Sequence, residues 1–280
     1  MPPPLGIHVS IAGGFPKAIG RGVELGCEAI QIFVKSASQW RGRPLAAEEV
    51  AEFRREHAAS PIGPLLAHSS YLINLAATDE AILERSRWAL GDELDRCQAL
   101  GVQGLVVHPG AHLGAGEEAG LDRIAESLDA VYAQRPGCPV RVLLENTAGQ
   151  GTVLGYRLEQ LEATLARAAC RERLGIALDT CHAFAAGYPL HEETGLAELL
   201  AEMEERFGIH RVGCLHLNDS KKPFASRRDR HANLGQGEMG AETFRRLVAE
   251  PRLAAVPMLL ETPAGDDNEG YRQDLALLRE

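Results

Sequence analysis

Eight short apolar runs recur along this 280-residue chain, and stretches with the helix period lie between them. The runs are Gly6–Val9, Ala29–Phe33, Leu65–His68, Leu105–His108, Val142–Glu145, Ile176–Asp179, Gly213–Leu217 and Met258–Glu261. Each is too short and too apolar to be a half-solvated strand, which suits a parallel sheet covered on both faces. In the intervening stretches Leu83, Leu90, Leu94, Cys97 and Leu100 share one helical face, with Thr78 predicted as the N-cap and Gly101 as the stop. Leu158, Leu161 and Leu165 repeat the pattern, and so do Leu196, Leu199, Leu200, Met203 and Phe207 before Gly208. Weaker helices are predicted over 15–25, 47–58, 119–134, 240–249 and 271–279. Eight strand–helix units predict an α/β fold, one (β/α)8 TIM barrel spanning residues 1–280 as a single domain. A doubly wound open sheet is the alternative; even spacing without a linker or a composition break favours closure. The connection from His216 to about Gly240 exceeds the usual strand-to-helix length, which marks it as a functional loop.

In a barrel the C-terminal strand ends converge on one face, where active sites sit. Here those ends carry His68, His108, Glu145 and Asp179, with His182 three residues further on. His216 lies on the seventh strand, Asp229 and His231 on the long loop after it, and Glu261 closes the eighth. Taken singly, each has a plain explanation as a hydrogen-bonded rim residue or a helix N-cap. Together, four carboxylates crowded at one mouth would repel unless cations sat among them. Five histidines with four carboxylates suit zinc or manganese without any thiolate. One bridging carboxylate among nine ligands would leave each of three ions an open position, whereas two ions would be nearly saturated. Open positions on divalent cations imply hydrolysis, with a hydroxide held between metals as the nucleophile.

Composition restricts the setting. A hydrophobic fraction of 45% and a charged fraction of 24% are those of an ordinary globular protein. The N-terminal residues lack the pattern of a signal peptide and no stretch is apolar enough to span a membrane, so a cytoplasmic location is expected. The six cysteines are scattered without a CxxC pair and read as buried free thiols. A formal charge of −10 argues against a non-specific polyanion binder, an objection that bound cations could answer locally.

The same residues lie in strings that resemble the endonuclease IV family: GIHVSIAGG (6–14), HSSYLINLA (68–76), VVHPGAH (106–112), LLENTAGQG (143–151), LDTCH (178–182), HLNDSK (216–221), DRH (229–231) and ETP (261–263). They occur in the family's order over nearly the whole chain. The resemblance implies a trinuclear zinc site and hydrolysis of the phosphodiester 5′ to an abasic site in duplex DNA, leaving a 3′-hydroxyl, as in base excision repair. It implies that His68, His108 and Glu145 hold one ion and that Glu145 bridges to a second, held also by Asp179, His216 and Glu261. His182, Asp229 and His231 would hold the third. Glu261, with Glu145 as a second candidate, would orient or deprotonate the bridging water. Manganese is admissible at one or more positions, no organic cofactor is called for, and action as a monomer is expected.

Beside the ligands, Tyr71 and Leu72 resemble the side chains with which the family fills a duplex that has lost a nucleotide. Gln39 and Trp40 are similar candidates, although the chain departs from the family here: Ser38 stands where an arginine is usual. The long loop adds Lys221, Lys222, Arg227, Arg228 and Arg230, of which Lys222 and Arg230 are the chosen phosphate contacts. Asn218 and Asp219 are read as supports or turn formers, and His8 and His112 as pocket-floor or supporting residues. His57, His191 and His210 are read as surface residues. Two other functions fit parts of this pattern. One is a metal-dependent sugar isomerase on a similar barrel, disfavoured by the number of ligands; the other is a non-catalytic damage-binding module, disfavoured because structural zinc sites are closed.

Overall fold

Side chains alternate across a strand, and in this barrel that period of two separates the packing core from the site. The computed structural model describes residues 2–280. Eight parallel strands close a barrel in the order β1-β10-β7-β6-β5-β4-β3-β2. They are β1 (Leu5–Val9), β2 (Ala29–Phe33), β3 (Leu65–His68), β4 (Gly104–Val107), β5 (Arg141–Glu145), β6 (Leu174–Asp179), β7 (Val212–Leu217) and β10 (Met258–Leu260). Closure rules out the open sheet.

Helices α1 (Phe15–Glu24), α2 (Ala47–Ala59), α3 (Glu80–Leu100), α4 (Glu117–Ala133), α5 (Leu158–Arg167), α7 (Gly195–Arg206), α8 (Ala241–Ala249) and α9 (Glu269–Leu278) follow the strands. Three expected boundaries shift. Asp79 rather than Thr78 caps α3, because its side chain accepts a hydrogen bond from the backbone N–H of Ile82 at 3.0 Å. β4 and β10 end one residue short of His108 and Glu261. Gly101 does end α3, at φ 81°.

One element was not foreseen. Helix α6 (Thr180–Ala186) starts directly on the end of β6, capped by Asp179, whose Oδ1 accepts from the backbone N–H of His182 at 2.7 Å. The long connection after β7 is also partly ordered as a ribbon, β8 (Asp219–Ser220) antiparallel to β9 (His231–Ala232). Buried Asp219 organises it by accepting from the backbone N–H groups of Ser220, Gly235, Gly237 and Met239 at 2.7–3.0 Å. A side chain on Gly237 would strike Asp219 Oδ1, so glycine is required there. Among the described residues no helix is long and apolar enough to cross a membrane.

The outward-facing strand residues, such as Val142 and Leu144, join the helices in the main apolar shell. The inward residues form a separate buried layer of Ala29, Leu66, Val106, Leu143, Ala177, Cys214 and Leu259. Removing one such leucine from contact with water is worth about 1.5–3 kcal/mol, so this floor fixes the strand register. Two residues above it, on the same inward phase, come Gln31, His68, His108, Glu145, Asp179, His216 and Glu261. The strand period therefore places them in one ring above a dry floor.

Candidate metal centre

Glu145 is the hub of that ring. It is fully buried, and its Oε2 lies 3.1 Å from His68 Nε2 and 2.9 Å from His108 Nε2. Its Oε1 lies 3.0 Å from His216 Nδ1 and 3.5 Å from His182 Nδ1. Asp229 reaches in from the long loop, with Oδ2 3.3 Å from His182 Nε2 and Oδ1 3.1 Å from His231 Nε2. Glu261 Oε2 stands 3.4 Å from His216 Nδ1.

Four of these imidazoles are oriented by a partner that can only accept. His68 Nδ1 donates to the Ser69 carbonyl at 2.8 Å, His182 Nδ1 to the Asn146 carbonyl at 2.9 Å, and His231 Nδ1 to the Glu261 carbonyl at 3.2 Å. His216 Nε2 donates to Gln31 Oε1 at 2.9 Å. In the neutral ring the opposite nitrogen then carries a bare lone pair, and in each case that nitrogen faces a carboxylate. Lone pair against carboxylate is repulsive unless a proton or a metal cation lies between them. An anchored N–H with the other nitrogen aimed into a carboxylate cluster is the arrangement of metal-ligating histidines. Consistently, His231 Nε2 is a buried nitrogen without a hydrogen bond among the described residues.

The electrostatics say the same. Burial pulls the His68, His182 and His216 pKa values down, but the surrounding carboxylates outweigh it and raise all three, His182 and His216 strongly. His231 is likewise lifted, to about 9. Burial would push the carboxyl groups up; instead the imidazoles beside Glu145, Asp229 and Glu261 hold all three well below the usual range. The cluster is built to retain positive charge.

Three groups could each hold an ion: His68 with His108 and Glu145; Glu145 with Asp179, His216 and Glu261; and His182 with Asp229 and His231. Their candidate donor atoms lie within 4.8 Å of one another in each group, and Glu145 is common to two. A further grouping, Asp179 with Cys181 and His231, puts one of the buried thiols at the edge of the third site.

Side chains behind the ring hold it in place. Asn146 and Asn218 bracket Asp179: Asp179 N–H donates to Asn146 Oδ1 at 2.7 Å, and Asn218 Nδ2 donates to Asp179 Oδ2 at 2.7 Å. Asn218 Oδ1 accepts from Glu261 N–H at 3.0 Å. Gln31 was missed from the sequence; its amide donates to Glu261 Oε1 at 2.7 Å and approaches His8 Nδ1 at 3.0 Å. The signal was present, because Gln31 shares the inward phase of β2 with buried Ala29. His8 does support the site: half-buried, its Nδ1 lies 3.3 Å from Glu261 Oε1. His112 does not: its Nδ1 accepts from the N–H groups of Gly114 and Gly116, forming the loop after β4. Asp219 is a turn former. His191 and His210 are exposed, and half-buried His57 contacts the Gly63 carbonyl.

Around the ring, Tyr71 is 65% exposed and stands over His68, with ring centroids 5.4 Å apart. Partial desolvation against the ring and the charges of Glu261 and Glu145 push its pKa up to about 12. Leu72 beside it is half-buried, as are Trp40 and Lys222, while Gln39 and Arg230 are exposed. A hollow of about 440 Å³ opens between Tyr71, Asn74, His108, His182 and Asp229.

Comparison with known proteins agrees with this geometry. A family described as xylose isomerase-like TIM barrel matches residues 20–280. Proteins named probable endonuclease 4 from Chloroflexus aurantiacus and Halorhodospira halophila are 48% and 47% identical to the chain; each match covers 99% of it, with 97% and 93% of the relatives. Crystalline endonuclease IV from Thermus thermophilus superposes with a TM-score of 0.88 at 38% identity, over 99% of this chain and 98% of that one. A D-tagatose 3-epimerase-like protein reaches 0.73 at 18% identity, covering 98% and 96%, a likeness of fold alone. Near-complete coverage at almost half identity, with a barrel that superposes closely on crystalline endonuclease IV, places the chain in the endonuclease IV family.

Proposed function

We propose that this protein is a metal-dependent endonuclease that hydrolyses the phosphodiester 5′ to abasic sites in duplex DNA and leaves a 3′-hydroxyl. The observation that carries this reading is the set of four anchored imidazoles with their free nitrogens turned toward shared carboxylates. We assign three Zn²⁺ to the three groups, with Mn²⁺ as an alternative occupant. Divalent cations bound there supply Lewis acidity toward phosphodiester oxygens and make hydroxide available near neutral pH.

The protein's own groups divide the work. Glu145 has both oxygens against histidines and no exposed surface, so it suits bridging rather than proton transfer. Glu261 is 16% exposed, its Oε1 held by Gln31 and its Oε2 turned toward the ring. That oxygen is the better candidate to orient the attacking water and take its proton. Tyr71 and Leu72 are the wedge that fills the gap in the duplex, and the hollow beside them receives the base-free sugar. Extruding that sugar costs less than extruding a paired nucleotide, which favours abasic sites over intact DNA. Gln39, Trp40, Lys222 and Arg230, on the loops after β2 and β7, are assigned as backbone contacts. We place the reaction in the cytoplasm, carried out by a monomer without an organic cofactor.

The test is incubation of the zinc-supplemented protein with a duplex carrying one tetrahydrofuran residue, beside the same duplex undamaged and a panel of keto-sugars. Incision immediately 5′ to the tetrahydrofuran, giving an end that a polymerase extends, is expected. Intact DNA together with isomerised sugar would instead assign the site to sugar chemistry.

A further inference from the structure

The loop after β2 leads away from the site to two arginines mounted on tryptophans. The Arg41 guanidinium lies 4.7 Å from the centroid of Trp88, and that of Arg85 lies 5.5 Å from Trp40. These four side chains and Glu84 line an open hollow of about 580 Å³ on the shoulder of the barrel. Neither arginine has an ion pair or a hydrogen bond among the described residues, and Glu84 bonds to neither. Arg43, Arg135, Arg157, Arg167 and Arg206 are instead engaged by carboxylates.

Stacking leaves the N–H edge of a guanidinium open and limits its freedom, so an oxyanion that accepts two N–H bonds side by side can be met at a small entropy cost. The patch is also fixed relative to Tyr71. Lys35 Nζ donates to the Trp40 carbonyl at 2.8 Å and pairs with buried Glu93 at 2.9 Å. Glu93 accepts from the Ser70 N–H at 3.2 Å, and Ser70 Oγ donates to the Ala37 carbonyl at 2.6 Å. The loops after β2 and β3 are thus one rigid unit. Arg85 and Trp88 sit in the first two to three turns of α3, within roughly 12 Å of its start at the barrel mouth.

We propose that Arg41 and Arg85, held by Trp88 and Trp40, grip two backbone phosphates of the duplex beyond the lesion. They thereby supply the positive charge that Ser38 does not provide at the loop tip. Ser38 Oγ faces Ser36 Oγ at 3.2 Å and brings no cation. The inference rests on the DNA-cleaving reading above, and it commits to phosphate because the exposed, unpaired groups are cations. The alternative occupant of a tryptophan–arginine patch is a protein partner.

Each phosphate contact adds about 0.9 to the steepness of log affinity against log salt. The R41Q/R85Q double variant is therefore expected to keep kcat within about twofold while the salt slope of kcat/KM on a tetrahydrofuran duplex becomes shallower by about 1.8. Between 50 and 200 mM KCl this amounts to roughly a tenfold smaller loss for the variant. The R41K/R85K variant, which keeps the charges, should recover most of the slope. An unchanged slope in R41Q/R85Q, with wild-type incision intact, overturns the phosphate assignment and points to a protein partner. Failure of the wild type to incise the duplex at all would overturn the DNA reading itself, a distinct result.

Discussion

Glu261→Gln is expected to lower the rate of incision at an abasic site by about 10³-fold while leaving binding to the damaged duplex within about threefold. The glutamine is nearly the same size and its oxygen can still accept from Gln31, which now holds Glu261 Oε1 at 2.7 Å. The hydrogen bonds of the backbone, including Glu261 N–H to Asn218 Oδ1, are untouched. What is lost is the negative charge and the ability to take a proton at the one carboxylate of the barrel ring with an exposed edge. Loss of both binding and turnover would indicate a structural residue instead. Full activity would remove Glu261 from the chemistry. Single-turnover kinetics with a parallel binding titration separates these outcomes.

Removal of divalent cations should abolish incision and also loosen the fold. A ligand present at a thousand times its Kd stabilises the state that binds it by about 4 kcal/mol, which for a protein of this size moves Tm by roughly 10 °C for one site. The loss should be slow, because the site is fed only through the mouth and Glu145, Asp179 and His216 have no exposed surface. Its pH dependence has a defined sign. In the metal-free protein, protons must take the place of cations between the imidazoles and the carboxylates. The folded pKa of His231 is raised to about 9, above its ordinary value of 6.5. Its contribution is therefore fully present below pH 6.5 and is lost as the pH rises through about 9. The Tm gap between metal-loaded and metal-free protein should consequently widen from pH 6.5 to 9. Scanning calorimetry before and after chelation measures it; a gap that is absent, or that narrows with pH, contradicts cation binding at this cluster.

The barrel and the ring of imidazoles and carboxylates at its mouth were legible in the sequence for one physical reason. A buried parallel strand is an apolar run, and polar residues gathered at the C-terminal ends of several such strands point to one shared site. His68, Glu145 and Asp179 announce themselves in that way. Gln31 did not, because it interrupts a strand rather than ending it, and only the inward phase of β2 reveals where it faces. The buried Lys35–Glu93 pair was invisible because its partners come from separate elements and look like surface charges. Helix α6 was hidden by its brevity: seven residues show too little periodicity, and Asp179 serves both as its cap and as a member of the ring. Thr78 was preferred to Asp79 because both are good N-caps, and only geometry decides between neighbours.

The centre itself can be located by anomalous diffraction recorded on either side of the zinc edge from crystals grown with zinc. Three peaks are expected, each about 2.0–2.2 Å from nitrogen and carboxylate oxygen donors, with Glu145 bordering two of them. A barrel mouth without anomalous density, or density lodged away from His68, His182, His216 and His231, would contradict the assignment.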